Sequence, residues 1–379
     1  MEITITKNNL VNSLQKIQYI LEKTSALQHS HNILFTTNES TAFITAYDID
    51  CSARATVPIT LSKPGTICVN GKKLFEIIKS FDDEDILLQK NSDDNLVTIK
   101  GKKSFFHIVS ANPEDFPVID FTSPDEHFYL QAETVKKIID RTVFSVARIP
   151  DPRYNLEGVY VELTPQEKES ADDDEKNMLA FIATDGHRVT VAKTDKVGGQ
   201  ITLGERRIFS RKSLVEIKNV FADSETLKMS FAGNDVHVRG ENFILILRML
   251  KGSFPDYRKM IPTSFIHEIT INKDALLQIL RRMNILAHDK YKGIAMHFAT
   301  DNLTVSINNP EMGHAREDMA INYAGEPVNV SFNIRYLLDF LQVVATTDID
   351  IMMSSGMHPC ILKEHGSDNF INGIMPMKS

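Results

Sequence analysis

Three stretches of this chain read as the same object. Residues 8–21 (NNLVNSLQKIQYIL), 133–146 (ETVKKIIDRTVFSV) and 273–286 (KDALLQILRRMNIL) each carry apolar side chains at helical spacing. Each follows a short alternating strand: ITIT, FYLQA or EITIN. A strand pair comes next, turning at Tyr47-Asp48-Ile49-Asp50, at Thr184-Asp185-Gly186-His187 and at Asn308-Asn309-Pro310-Glu311. A second helix follows in every case, over 70–82, 210–221 and 333–344, and further strands close the unit. The first two copies end in related phrases, 111–118 (ANPEDFPV) and 252–257 (GSFPDY). The chain is therefore three copies of one strand–helix–strands–helix–strands unit, at 1–125, 126–262 and 263–379. Each copy predicts an α+β domain of two helices against antiparallel sheet.

The repeat decides how the most reactive-looking stretch is read. Residues 181–191 (FIATDGHRVTV) place a carboxylate, an imidazole and a guanidinium at one Gly turn, a set able to do acid–base work. Asp-Gly between alternating apolar runs is also a strong hairpin signal. The other copies put Asp-Ile-Asp and Asn-Pro-Glu at the same place. The turn is architectural first, and a hydrolase built on His187 and Asp185 lacks a nucleophile motif or phosphate loop.

Composition removes other classes. The chain has 379 residues, 42% apolar and 24% charged, as soluble multidomain proteins do. No apolar run of about 18 residues predicts a membrane helix, and the MEITITKNNL start does not read as a signal peptide. Cys51, Cys68 and Cys360 lie far apart in apolar runs, without metal-ligand spacing, and read as reduced cysteines of a cytoplasmic protein. His29 and His31 lack further ligands, so neither metal nor cofactor is expected. The acidic run at 166–177 (QEKESADDDEKN) reads as a solvated surface loop.

Head-to-tail units meet through non-identical edges, and such contacts close into rings when the rotation permits. Helices pack about 8–10 Å apart, so twelve helices from two chains enclose an opening of roughly 25 Å. Six from one chain leave under about 10 Å, too little for a duplex. The helical stretches hold more Lys and Arg than Asp and Glu, although the whole chain carries −8. A basic lining within an acidic shell suits contact with phosphates irrespective of sequence.

The phrases 153–158 (RYNLEG), 183–188 (ATDGHR), 252–257 (GSFPDY), 309–311 (NPE) and 374–377 (IMPM) carry a resemblance. Along essentially its whole length the sequence resembles the bacterial sliding-clamp family, the beta subunit of DNA polymerase III. The resemblance implies a head-to-tail homodimeric ring of clamp-like domains with helices lining the hole. Such a ring encircles double-stranded DNA and holds the replicative polymerase on it, without catalysis of its own. It also implies a clamp loader, other polymerases, ligase and mismatch-repair factors as partners, and no membrane.

By the same resemblance, a peptide-binding pocket uses Leu156, Thr184, Gly186, His187, Arg188 and Val189. Pro255, Lys259 and Met260 come from the linker, and Ile374, Met375, Pro376 and Met377 from the last segment. Thioethers re-pack around varied ligands, which suits such a wall. DNA contacts would come from Lys72, Lys73, Arg211, Lys212, Tyr291, Asn333 and Tyr336, and secondarily from Arg148 and Arg153. Subunit contacts would fall on Phe106, Ile285 and Leu286, with Lys73 set against Glu311, Glu317 and Asp318. The chain departs from the family pattern at 25–34, at Lys259, where arginine is common, and at Ser379. A non-enzymatic peptide-binding scaffold that does not act on DNA is the alternative.

Overall fold

Asparagines start three of the helices. The side-chain oxygens of Asn70, Asn272 and Asn333 accept from the backbone N–H of Lys73, Ala275 and Arg335, satisfying donors that the first helical turn leaves open. The computed structural model describes residues 1–21, 31–82, 84–90, 95–165, 177–195, 197–199, 201–204, 207–288, 292–354 and 358–377. Residues 166–176 of the acidic run, residues 25–30 of the 25–34 loop, Tyr291 and Ser379 lie outside the described residues.

The first repeat runs β1 (Glu2–Thr6), α1 (Lys7–Ile17), β2 (Asn32–Asn38), β3 (Thr41–Tyr47), β4 (Cys51–Pro58), β5 (Thr60–Lys63), β6 (Thr66–Asn70), α2 (Gly71–Ser80), β7 (Asp85–Lys90), β8 (Leu96–Lys100) and β9 (Phe105–Ala111). The second runs β10 (Phe128–Gln131), α3 (Ala132–Thr142), β11 (Gly158–Pro165), β12 (Asn177–Thr184), β13 (Arg188–Lys193), β14 (Gly198–Gly199), β15 (Ile208–Ser210), α4 (Arg211–Val220), β16 (Thr226–Ala232), β17 (Asp235–Arg239) and β18 (Phe243–Arg248). The third runs β19 (His267–Asn272), α5 (Lys273–Met283), β20 (Gly293–Ala299), β21 (Asn302–Asn309), β22 (Gly313–Ala320), β23 (Val328–Asn333), α6 (Ile334–Leu341), β24 (Asp348–Met353), β25 (Cys360–Glu364) and β26 (Phe370–Ile374).

One pairing rule holds in all three. The leading strand pairs with the first strand after the second helix: β1 with β7, β10 with β16, β19 with β24. The strand before that helix pairs back onto the meander: β6 on β2, β15 on β11, β23 on β20. Each closing strand also returns to the strand before the second helix. Ala111 pairs with Cys68, Leu250 bridges Ile208, and Met377 N–H donates to Ser331 O at 2.7 Å.

Neighbouring repeats share sheet. The start of β4 pairs with the end of β18, and β13 pairs in the same way with β26. The two compact units of the chain consequently divide the middle repeat. One is 1–135 with 198–206 and 212–249; the other is 136–197 with 207–211 and 250–379. A single 14-stranded sheet runs through the first, and sheets of eight and four strands build the second.

Within the first unit, α1 packs on α2, β3 and β4, burying Leu10, Leu14 and Ile17 at a helical period. Within the second, α5 packs on α6 through a core that includes Leu280, Phe298, Phe340 and Phe370. There Arg141 bonds Glu364 with both side chains buried, and its guanidinium lies 4.6 Å from the Phe370 ring centre. All three cysteines are free and buried. Among the described residues no helix is long and apolar enough to cross a membrane.

Candidate functional site

The β12–β13 turn is built by its own polar side chains. Asp185 Oδ1 accepts from the backbone N–H of His187 at 3.0 Å and of Arg188 at 3.1 Å, a local bond that substitutes for backbone pairing. Thr184 Oγ1 accepts from Gly186 N–H at 3.1 Å and donates to Arg188 O at 2.6 Å. Gly186 has φ +86°, where a Cβ is strained whatever the free space.

Arg188 is 6% exposed and fully engaged. Its Nε is 3.0 Å from Asp185 Oδ2, one terminal nitrogen is 2.7 Å from Asp339 Oδ2, and the other donates to Phe144 O. The guanidinium lies 4.3 Å from the Tyr336 ring centre and 5.1 Å from that of Phe144. The planar fork suits this many fixed partners. The Tyr336 hydroxyl is pushed up, first by burial and then by Asp185. Asp185 is thus committed to the turn and to Arg188, while His187 is exposed. Its imidazole bonds no carboxylate among the described residues, so no acid–base pair exists at this turn.

Two further segments meet the turn. Arg188 pairs with Ile374, and Met375 N–H donates to His187 O at 2.9 Å. The linker forms a short 3-10 turn, Tyr257–Met260, anchored on Glu162, whose Oε1 accepts from the Tyr257 hydroxyl at 2.5 Å and from Arg258. Burial, then the bond to Glu162, pushes the Tyr257 phenol up. Tyr160 and Phe254 stack at 5.1 Å, and Met260 packs against the buried cluster of Ala180, Ile182, Val189, Val191 and Tyr257. A Cβ on Gly373 would come within 3.0 Å of Val189 Cγ1, so glycine keeps this strand close.

The pocket residues read from the sequence separate into two layers. Leu156, Thr184, Arg188, Val189 and Ile374 are buried and form the support. Gly186, His187, Lys259 and Met377 are exposed, and Pro255, Met260, Met375 and Pro376 are half-buried. Lys259 is 3.4 Å from Asp256. The residues outside that support are three thioethers, two prolines, Gly186, the His187 imidazole and the Lys259 ammonium. They offer adaptable packing and no nucleophile. Phe144, Glu162, Arg258 and Asp339 complete the support; no local motif marks them, because each acts through a contact distant in sequence.

The residues assigned to phosphate contact also differ in availability. Lys72, Arg148, Arg153 and Arg211 are exposed. Lys73 is 2.9 Å from Glu76, and Arg153 is 3.6 Å from Asp151. Lys212 bonds the buried Asp48 and lies 4.0 Å from Glu216. Asn333 caps α6, and Tyr336 faces Arg188.

The residues assigned to subunit contact lie on or beside two sheet edges. Residues 105–109 of β9 pair only with β8, and β22 only with β21, among the described residues. Phe106 is 40% exposed and tilts onto Phe81 at 5.5 Å. Ile285 is 72% exposed, whereas Leu286 packs onto the core. Glu311 is exposed. Glu317 accepts from Arg282 Nε at 3.0 Å. Asp318 lies 3.2 Å from Arg316; bonds from Thr304 and then Arg316 hold its carboxyl below the usual range.

Comparison with known proteins gives one consistent result. Family models described as the N-terminal, central and C-terminal domains of the DNA polymerase III beta subunit match residues 1–120, 129–256 and 258–378. The chain is 27% identical over 383 residues to the beta sliding clamp of Pseudomonas putida, and 26% over 381 to that of Escherichia coli, with all of both chains covered each time. A solved Caulobacter crescentus beta sliding clamp superposes at a TM-score of 0.92 with 24% identity, over 100% of this chain and 99% of that one. The DNA polymerase III subunit beta of Pseudomonas aeruginosa gives 0.88 with 25% identity and full coverage of both.

Proposed function

The chain belongs to the DNA polymerase III beta-subunit family, the sliding clamps, and from that premise we propose how its residues do a clamp's work. A protein of this family is a processivity factor, not an enzyme, and consists of three clamp domains. We take the domains as the three repeats, 1–125, 126–262 and 263–379. Two copies associate head to tail into a ring around double-stranded DNA, helices inward.

The observation that carries this reading is the count of strand edges. Within the chain, the last meander strand of one repeat pairs with the closing strand of the next: β4 with β18 and β13 with β26. Extending the rule leaves β22 of the third repeat and β9 of the first, each with an open edge. These two are complementary by the same rule, so β22 of one copy pairs with β9 of another, and closure leaves neither exposed. Ile285 and Phe106 supply apolar surface beside that seam, and Lys73 meets the Glu311, Glu317 and Asp318 group across it. Lys72, Arg148, Arg153 and Arg211 carry most of the phosphate contact.

The outer layer around His187, Met375 and Met377 takes a short, partly apolar peptide from the replicative polymerase, the clamp loader, other polymerases, ligase and mismatch-repair factors, in the cytoplasm. Two experiments test this. The protein loaded on nicked circular DNA is retained, and is lost when the circle is cut; equal loss from both forms overturns topological tethering. Replacing His187, Met375 and Met377 by Ala abolishes binding of a polymerase-derived peptide while the copies stay associated in light scattering. Unchanged peptide affinity overturns the pocket.

A further inference from the structure

The repeat places a second groove where the first junction matches the His187 turn. The register defines the match. Cys51 pairs with Leu247 as Arg188 pairs with Ile374, and Arg248 N–H donates to Asp50 O at 2.9 Å as Met375 N–H does to His187 O. Ile49 and Asp50 therefore stand where Gly186 and His187 stand. The phrase Phe116-Pro117-Val118-Ile119 corresponds to Phe254-Pro255-Asp256-Tyr257. These elements enclose a groove of about 300 Å³, lined by Ile49, Asp50, Val118, Ile119, Asp120 and His237 among others.

Three observations give it a ligand chemistry. Apolar side chains stand in water there: Ile49 is 54% exposed and Val118 fully so. The charge is acidic. Asp50, Asp120 and Asp235 line the groove against one lining cation, Arg248, which is 3.5 Å from Asp235; Arg54 acts on Asp120 from outside the lining, and among the described residues neither Asp50 nor Asp120 is within ion-pair distance of a cation. Finally, His237 is 8% exposed, lines the groove, and its Nδ1 has no hydrogen-bond partner among the described residues. Burial lowers its pKa, so near pH 7 it is a neutral imidazole able to bond a peptide group.

We propose that this groove docks a short extended peptide that alternates basic and apolar residues, the apolar side chains against Ile49, Val118 and Ile119 and the cations beside Asp50 and Asp120. Volume and charge support the assignment. About 300 Å³ is the lower limit for small-molecule pockets, and suits one or two side chains of a longer ligand. Adjacent carboxylates favour a cationic partner and disfavour an acidic one. The proposal rests on the repeat and its register, and stands apart from the assignment of the His187 pocket.

The test uses the full chain and two fluorescein-labelled peptides, Gly-Lys-Leu-Arg-Ile-Gly and Gly-Asp-Leu-Glu-Ile-Gly. The basic peptide binds at least tenfold more tightly in anisotropy titrations, and shifts the isoleucine methyl NMR signals of Ile49 and Ile119 while leaving that of Ile374 in place. Asp50→Lys and Val118→Asn each weaken it at least tenfold, and His187→Ala leaves it unchanged. The methyl shifts are read on the unsubstituted protein, so a misfolded variant does not decide the matter. Equal binding of both peptides, or unmoved Ile49 and Ile119 signals, overturns the proposal. So does loss in Asp50→Lys without loss in Val118→Asn, the sign of charge attraction alone. Loss only in His187→Ala places the peptide in the other pocket, overturning this groove and leaving that reading intact.

Discussion

The two strand junctions, β4 with β18 and β13 with β26, share a backbone and differ in what they bury. At the second, Arg188 opens the strand and meets Asp339 of α6 at 2.7 Å. At the first, the matching positions hold Cys51 and, on α4, Glu216. A thiol cannot fully compensate a carboxylate. Among the described residues both Glu216 oxygens are buried without a well-formed hydrogen bond, and the Cys51 thiol and Lys212, 4.0 Å away, offset the charge only in part. Burial pushes the Glu216 carboxyl up to about 7, against the pull of Lys212. Burial and the same carboxylate push the Cys51 thiol up as well. Main-chain pairing fixes the register of both junctions, and the side chains beneath are free to become a closed ion network in one and a partly compensated acid in the other.

The sharpest way to break this comparison is to remove the strand-opening residue from each side. Arg188→Ala strands Asp185 and Asp339 and is expected to cost about 3–5 kcal/mol in denaturant unfolding. Cys51→Ala should cost about 1 kcal/mol; equal costs would show that the junctions do not differ as described.

The next effect is in the helical carboxylates, where the signs oppose. Glu216 titrates at about 7 when folded, above the unfolded value of about 4.3. The folded chain holds the extra proton between those values, so stability falls as pH rises through that window. Glu216→Gln is therefore expected to stabilise the protein by up to about 3 kcal/mol at pH 8 and by little at pH 4. Asp339→Asn should destabilise at pH 8, because it deprives Arg188 of a counter-charge. Melting curves at both pH values decide it, and a stabilising Asp339→Asn would remove the contrast.

The smallest effect separates adjacent residues of α4. Lys212→Ala should cost about 1–3 kcal/mol, since it leaves the buried Asp48 without its cation. Arg211→Ala should leave stability unchanged and reduce the salt slope of DNA binding by about one. A stability loss in both would place Arg211 in the junction as well.

Much of the scaffold is legible in the sequence because it is local. Leu10, Leu14 and Ile17 announce a helix by spacing, and Asn70, Asn272 and Asn333 announce its start. The three turns fall where Asp, Gly, Asn and Pro permit them. Strand partners across repeats are not legible, since period-two alternation tells which face is buried and not which edge is paired. The site suffers from the same gap. Arg188 and Thr184 look like surface residues because charged and polar side chains usually are, yet both are buried through contacts with Phe144, Asp339 and their own turn. Met375 and Met377 are read as a ligand wall in preference to a last core strand, although a strand face can do either; β26 ends at Ile374, and Met375 and Pro376 are half-buried and Met377 exposed. Glu216 gives no signal at all, as its cost comes from burial, which the sequence of its own helix does not show.

The open edges on β9 and β22 have a topological consequence. They give each copy a valence of two, one socket of each kind. A linear row of any number of copies keeps exactly one spare socket of each kind, so growth never removes the ends; only closure does. With two copies closed on each other there are two seams, and parting one of them admits a DNA strand while the other still holds the pair together. Opening and dissociation are then different events with different costs, and admitting DNA requires only the smaller.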